Sequence, residues 1–297
     1  MRAVATLRIG TRGSSLAMAQ ARIAADALAP AFGTTELVPM STRGDEISTR
    51  RPHAGWAVSD GQFTRDLERA LLDGLVDIVV HSFKDLPTEP VRGLAVAAVL
   101  QRADPRDCLI TRHDGSLAEL PFCARVGTSS ARRAAQLAAA RSDIIAVPMR
   151  GNVETRLARL ASGELDAIVL AAAGLDRLGV AVPESARLPY EVMLPAPAQG
   201  ALALQVRSDD AETLAAVATC DHAATRVAVE AERALLRHIG GGCLAPLGAL
   251  GEVEGDLLRL RAAYEDPAGG YRRAEATGAV SDAGAVAAEL ARRILAS

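Results

Sequence analysis

One lysine, Lys84, stands among thirty-three basic residues, and its neighbour is a carboxylate, Asp85, in the run His81-Ser82-Phe83-Lys84-Asp85-Leu86-Pro87. Arginine cannot release its proton and its planar fork suits few tight sites, so a lone lysine in an arginine-rich chain marks a place that wants a compact ammonium. Chance survival is the plain alternative. An adjoining carboxylate suits general acid–base work or the stabilisation of a cation developing on a substrate. An exposed ion pair there would be worth little. Position favours the chemical reading, because the run follows the apolar stretch Val76 to Val80 and ligands bind beyond the carboxyl ends of strands in open α/β sheets.

A second group of residues suits anions. Gly10-Thr11-Arg12-Gly13-Ser14 and Gly127-Thr128-Ser129-Ser130 each lead from an apolar stretch into a helix start, where free N–H groups, hydroxyls and the positive end of the helix make a ready anion site. Thr11, Arg12, Ser14, Thr128, Ser129 and Ser130 are therefore candidate ligands, with ordinary helix caps as the alternative. Arg132 and Arg133 fall in the first turn of the second helix, where cations oppose the helix dipole unless an anion, such as a bound carboxylate, compensates. Arg150-Gly151-Asn152 and Arg156 follow the next strand and could reach the same cleft, since bidentate carboxylate recognition suits arginine well. Arg141 and Arg159 read as solvated surface arginines. Gly240-Gly241-Gly242-Cys243 puts a thiol on a glycine loop: a lone cysteine is usually a small buried hydrophobe, but beside an arginine-lined cleft it is a candidate point of covalent attachment.

The elements that must carry these residues alternate between strand and helix. Leu7 to Gly10 predicts a strand, Ser15 to Leu28 a helix, Leu37 to Met40 a strand, Phe63 to Leu72 a helix and Val76 to Val80 a buried strand. Arg43 to Gly61 reads as a mobile surface loop. Two internal echoes suggest a duplicated unit: Arg8-Ile9-Gly10-Thr11-Arg12-Gly13-Ser14 with Arg125-Val126-Gly127-Thr128-Ser129-Ser130, and Asp73-Gly74-Leu75-Val76-Asp77-Ile78-Val79-Val80 with Ser162-Gly163-Glu164-Leu165-Asp166-Ala167-Ile168-Val169. Crossings between the units are expected at Ala103 to Asp107 and at Pro195 to Gly200. A helix from Asp221 to His238, two or three strands between Leu247 and Ala276 and a helix from Ala283 to Leu295 predict a small α+β unit. The expected organisation is residues 1–102 with 200–218, residues 103–199, and residues 219–297.

At 297 residues the chain exceeds one hydrophobic core, and with 49% apolar but only 3% aromatic residues its cores must be aliphatic, which favours helices packed on parallel strands. A net charge of −3 gives no global attraction to nucleic acid or to an anionic membrane, so anion binding must be local. No apolar run approaches a membrane span or a secretory signal, which predicts a cytoplasmic protein. The four cysteines form no CxxC pair and do not cluster with the histidines, so free thiols and no metal site are expected.

Assembled, these segments resemble the hydroxymethylbilane synthase (porphobilinogen deaminase) family over nearly the whole chain. The resemblance rests on Arg8-Ile9-Gly10-Thr11-Arg12, Thr42-Arg43-Gly44-Asp45, Val80 to Pro87, Asp104-Pro105-Arg106-Asp107, Val126 to Arg133, Arg150-Gly151-Asn152, Ala172 to Gly179 and Gly241-Gly242-Cys243, which occur in family order. It implies an α/β chain with two periplasmic-binding-protein-like domains around a cleft, plus the small C-terminal domain. It further implies a dipyrromethane cofactor joined to Cys243 by a thioether, porphobilinogen as substrate, and a monomer. By the same resemblance Asp85 is the catalytic residue. Ser82, Lys84, Asp85, Thr128, Ser129, Ser130, Arg132, Arg133, Arg150 and Gly151 would hold the cofactor, and Arg12, Ser14, Arg150, Arg156, Arg177 and Gln199 the substrate. Phe63 belongs to the loop that would close over them.

The chain departs from the family pattern twice. The usual Gly-Gly-x-Gly-x-Phe keeps only Gly61 and Phe63 in Val58 to Phe63, and Ala198 replaces a glycine in Pro195 to Ala201, which could stiffen the crossing. A non-catalytic carboxylate-binding protein and a Schiff-base enzyme using Lys84 are the competing readings.

Overall fold

A computed structural model of the chain describes residues 6–40, 64–112, 115–240, 242–266 and 270–296. In chain order the first elements are β1 (Leu7–Arg12), α1 (Ser15–Phe32), β2 (Thr35–Met40), α2 (Arg65–Leu72), β3 (Ile78–Ser82) and β4 (Leu94–Val99). Next come β5 (Asp107–Thr111), β6 (Arg125–Gly127), α3 (Ala131–Ala140), β7 (Ile145–Val147), α4 (Val153–Ala161), β8 (Ala167–Ala171) and α5 (Ala172–Arg177). The chain then returns through β9 (Leu202–Arg207) and α6 (Ala211–Ala218). It ends in α7 (Ala223–Ile239), β10 (Leu247–Glu254), β11 (Leu257–Asp266), β12 (Gly270–Ala279) and α8 (Ala283–Ala296). The expected Arg43 to Gly61 loop and Phe63 lie outside the described residues.

The first sheet has the order β2-β1-β3-β9-β4 and the second β5-β8-β6-β7. In both, three strands in a row, β2-β1-β3 and β7-β6-β8, run parallel, and the strand that follows an interdomain crossing, β9 or β5, joins antiparallel. The parallel sheet that composition favours is thus mixed, because each sheet borrows a strand from a chain arriving from the opposite direction. The two sequence echoes fall on equivalent strands, β1 with β6 and β3 with β8. The likeness reaches single bonds: Asp77 accepts from the Arg8 backbone N–H at 3.0 Å as Asp166 accepts from that of Arg125 at 2.8 Å. Gly74 and Gly163 turn the chain before these carboxylates at φ of 71° and 80°, a conformation glycine adopts without steric cost.

Ile9, Leu28, Ile78 and Leu204 fill the core of the first sheet, and Val126, Leu137 and Val169 one face of the second. The third sheet is an antiparallel meander, β10-β11-β12. Its core takes Leu235 and Leu236 from α7 and Leu290 and Ile294 from α8 against Leu258 and Leu260. It has the α+β form expected.

The two crossings run side by side, with the Ala103 N–H donating to the Gly200 carbonyl at 3.3 Å. Both are tied to α7 by Glu232, which is fully buried. Its carboxylate takes the Arg102 guanidinium at 2.6 Å and the N–H groups of Ala198 at 2.6 Å and Gly251 at 2.7 Å, so one side chain joins both crossings to the third sheet. Ala198 holds its N–H toward Glu232 with φ at 61°, in the left-handed region where a Cβ costs roughly 1–2 kcal/mol. We therefore expect Ala198→Gly to raise the melting temperature by roughly 2–4 °C in a calorimetric scan. An unchanged or lower value would mean that the strain is relieved elsewhere.

Candidate active site

Local chemistry explains how each functional side chain is placed. After β3 the chain makes a single 3-10 turn, Phe83–Asp85, begun by the Phe83 N–H donating to the Ala201 carbonyl at 3.0 Å. Ser82 exchanges hydrogen bonds with Gln20 of α1 at 2.8 and 3.1 Å. Phe83 is buried, Lys84 keeps part of its surface and Asp85 is exposed. Among the described residues the Asp85 carboxylate accepts no hydrogen bond.

Behind this turn lies a buried ionic cluster. Asp107, the first residue of β5, is fully buried. One carboxylate oxygen takes Arg132 at 2.7 Å; the other takes Arg133 at 2.6 Å and the Gln199 amide at 3.0 Å. Gln199 in turn accepts from Lys84 at 3.2 Å, so a continuous polar chain links the reactive turn of the first sheet to the arginines of the second. Burial by itself would raise the Asp107 carboxyl, yet Arg132 and Arg133 overrule it and hold the group well below the usual carboxylate range. Burial pushes Lys84 down to about 8, with Asp85 opposing and Arg133 adding to the effect.

Positive charge exceeds negative charge in this region. Arg156 is pushed down to about 10 by burial and by Arg133, and its Nε donates only to the Gly151 carbonyl, at 2.9 Å. Burial likewise pushes Arg177 down to about 10, while its guanidinium reaches the Gly200 carbonyl at 2.6 Å. Arg150 is buried, and the Arg132 Nε is buried without a hydrogen-bond partner. Cations that are desolvated, crowd one another and have one buried carboxylate between two of them favour an anionic ligand, because unpaired buried charge is costly.

Several expectations need correction. Arg132 and Arg133 do not depend on a bound carboxylate for compensation, because Asp107 supplies one from within the chain. Thr11 is buried and spends its hydroxyl on the Ala17 carbonyl at 3.1 Å. Ser14 and Ser130 are N-caps, accepting from Ala17 and Arg133, while the buried Thr128 accepts from the Ser130 N–H at 3.1 Å. Ser129 both donates to and accepts from the Met149 backbone, at 2.9 and 2.8 Å, which fixes the loop that carries Arg150. The hydroxyls thus shape the anion site first. Arg141 is not a solvated surface arginine, since it donates to the carbonyls of Leu117, Leu120 and Pro121 and pairs with Asp143. Arg159 is not solvated either: it pairs with Glu164, but its side chain is only 15% exposed and its Nη1 is buried.

Residues that sequence reasoning missed are Asp107, Gln20, Glu232 and Arg233. The available signal for Asp107 was an acid placed directly before the apolar run Cys108-Leu109-Ile110, but it was absorbed into a charged connector. Gly242 to Leu244 forms a short 3-10 turn after α7, and the side chain of Cys243 lies outside the described atoms. Of the other cysteines, Cys108 is buried with its thiol pushed up to about 11 by burial, Cys220 is half-buried and Cys123 is exposed.

Two similarly built α/β sheets, a third antiparallel sheet and a buried arginine cluster define the class of the fold. Comparison with known proteins supplies the particular family. The model described as porphobilinogen deaminase, dipyromethane cofactor binding domain, matches residues 7–215, and that of the porphobilinogen deaminase C-terminal domain matches residues 226–296. Porphobilinogen deaminase of Roseiflexus is 45% identical over 98% of this chain and 96% of its own. That of Xanthomonas axonopodis is 47% identical over 97% and 95%, and that of Nocardia farcinica 52% identical over 83% and 70%. The chain belongs to the porphobilinogen deaminase family. An ABC-transporter periplasmic substrate-binding protein from Coxiella burnetii aligns at a TM-score of 0.45 and 16% identity, covering 76% of this chain and 95% of its own. A likeness that loose carries no function.

Asp107→Asn should strand two buried guanidinium groups. The expected cost is about 3–5 kcal/mol, seen as an earlier midpoint in urea unfolding. A midpoint within error of wild type would show that the arginines are satisfied without Asp107.

Proposed function

We propose that the chain condenses four porphobilinogen molecules head to tail on a dipyrromethane primer, losing ammonia at each addition, and then releases the linear tetrapyrrole hydroxymethylbilane by hydrolysis. As a deaminating transferase it serves tetrapyrrole biosynthesis. The observation that carries the reading beyond the family is the buried arginine cluster joined through Gln199 to Lys84, next to the exposed carboxylate of Asp85. The same reading treats residues 1–102 with 200–218, 103–199 and 219–297 as three domains, and the chain as a cytoplasmic monomer.

The residues suit the cofactor. A dipyrromethane of this kind bears several carboxylates, and Lys84, Arg132, Arg133 and Arg150 offer cationic donors, with the hydroxyls of Thr128 and Ser130 and the backbone of Gly151 beside them and Ser129 fixing the loop that carries Arg150. When bound, the dipyrromethane supplies the free pyrrole carbon from which chain growth starts. Cys243 would hold it through a thioether, which withstands the repeated additions where an ester would be open to hydrolysis.

This chain's own groups then act on the substrate. Arg12, Arg156 and Arg177, with Ser14 at the margin, bind the acetate and propionate of porphobilinogen and set its orientation, while Gln199, expected among these ligands, is buried and spends its amide on Lys84, Pro105 and Asp107. Asp85 sits beside the aminomethyl nitrogen and pyrrole N–H. As ammonia leaves, the pyrrole nitrogen lone pair is drawn into the ring and a cation develops; a fixed carboxylate stabilises that charge. After carbon–carbon bond formation the same carboxylate accepts the proton lost from the attacked pyrrole carbon. Ser82 helps place the turn through Gln20.

Two predictions follow from these roles. Asp85→Asn should fold normally, since the exposed side chain holds nothing in place, and should lower kcat by at least about 100-fold in a pyrrole colour assay. Near-normal consumption of porphobilinogen would overturn the assignment. In the apoprotein, Lys84 loses its charge as pH rises through about 8, removing one cation from the site. Capture of porphobilinogen by apoprotein should therefore weaken above that pH, by up to about tenfold per unit, and should be low and flat in Lys84→Gln. The same decline in Lys84→Gln would assign the effect to another group.

A further inference from the structure

The Asp85 carboxylate has no described hydrogen bond to fix it, so its position is inherited from the backbone of its turn. The bond that closes this turn is long, Leu86 N–H to the Phe83 carbonyl at 3.3 Å. The external grip is much stronger. Arg233, buried in the middle of α7, donates one guanidinium nitrogen to the carbonyls of Phe83 at 3.3 Å and Leu86 at 2.7 Å, and another to Pro87 at 2.7 Å. Its plane lies over the Phe83 ring at 4.4 Å from guanidinium carbon to centroid. Three carbonyls flanking Lys84 and Asp85, and the one aromatic side chain of the turn, are thus held by a single residue from a different part of the chain.

Arg233 also adjoins Glu232, which holds both crossings and Gly251. Helix α7 runs on to Gly240 and the turn that carries Cys243. One rigid helix therefore touches the turn bearing the reactive carboxylate, ties the crossings and leads to the attachment point of the cofactor.

We infer that Arg233 is a positioning residue for the reaction: it holds the Phe83 to Pro87 turn so that Asp85 faces the reacting pyrrole at fixed depth. The inference rests on the reading of Asp85 given above. A ring-stacked guanidinium serves here because its planar fork satisfies several carbonyls at once, which an ammonium on a flexible stem does not. Displacement of a reacting group by about 1 Å is enough to cost about 100-fold in rate.

The test compares holoenzyme variants at saturating and limiting porphobilinogen. Arg233→Met should lower kcat by about 100-fold with KM within about twofold of wild type, since the substrate-binding arginines are untouched. Arg233→Lys, which keeps the charge and one donor but not the fork, should fold and fall between. Arg226→Met is the control on the same helix: Arg226 ties Asp221 and the Ala97 carbonyl and touches nothing in the turn, so its loss should lower the melting temperature and leave kcat within about twofold. If Arg233→Met fails to fold, the reduced kcat of Arg233→Lys carries the test. Wild-type kcat in Arg233→Lys or Arg233→Met, or an equal fall in Arg226→Met, would overturn the inference. Absence of turnover in wild type would instead overturn the functional reading.

Discussion

The structure depends on a carboxylate that is never seen from outside. Asp107 sits fully buried between Arg132, Arg133 and Gln199. Without it, two guanidinium groups in the first turn of α3 would face both the helix dipole and each other in a region of low dielectric. With it, the cluster carries a net positive charge that is tolerable in the empty protein and attractive to carboxylates. A local excess of this kind would suit a polyanion even in a chain of net charge −3. The attraction is local, directional and held by the interior, so salt screens it less than it would a surface patch.

Rigid elements deliver the reactive turn to this cluster. The duplicated β-α-β unit places the two helix starts, capped by Ser14 and Ser130, at the carboxyl ends of β1 and β6, and the chain crosses between the halves before β5 and before β9. Gln199 bridges Lys84 and Asp107, so any change in the spacing of the two sheets alters the surroundings of the lysine as well as of the arginines. Glu232 and Arg233 on α7 couple that spacing to the third sheet. Geometry at the site is thus set by buried polar contacts between domains, in which each member satisfies several partners; such networks specify one arrangement more than they add stability.

Much of this was legible in the sequence. The alternation of elements, both crossings, the α+β third unit and the place of Lys84 and Asp85 just after a buried strand could be read because periodicity and glycine placement are local signals. The internal echoes could be read because duplication preserves spacing, as the matched pairs Asp77 with Arg8 and Asp166 with Arg125 show. Other features were hidden for a physical reason. Asp107 and Glu232 look like any surface acids until distant chain segments close over them, and Arg233 is one of thirty-two arginines whose partners lie near position 85. Of the hydroxyls offered as anion ligands, Ser14 and Ser130 also cap their helices, since a helix start needs its own N–H groups satisfied. Ala198 was read as a stiffening substitution; in the fold it occupies a left-handed backbone held by Glu232.

The central claim is that the buried cation excess is matched by a polycarboxylate tethered through Cys243. The intact mass of protein purified from cells tests it most directly. The account predicts a mass above that of the sequence by two porphobilinogen units less two ammonias. The increment should be lost or labile in Cys243→Ser and persist in Cys108→Ser, Cys123→Ser and Cys220→Ser. An unmodified wild-type mass, even after porphobilinogen is supplied, would contradict it and leave a carboxylate-binding fold without the chemistry.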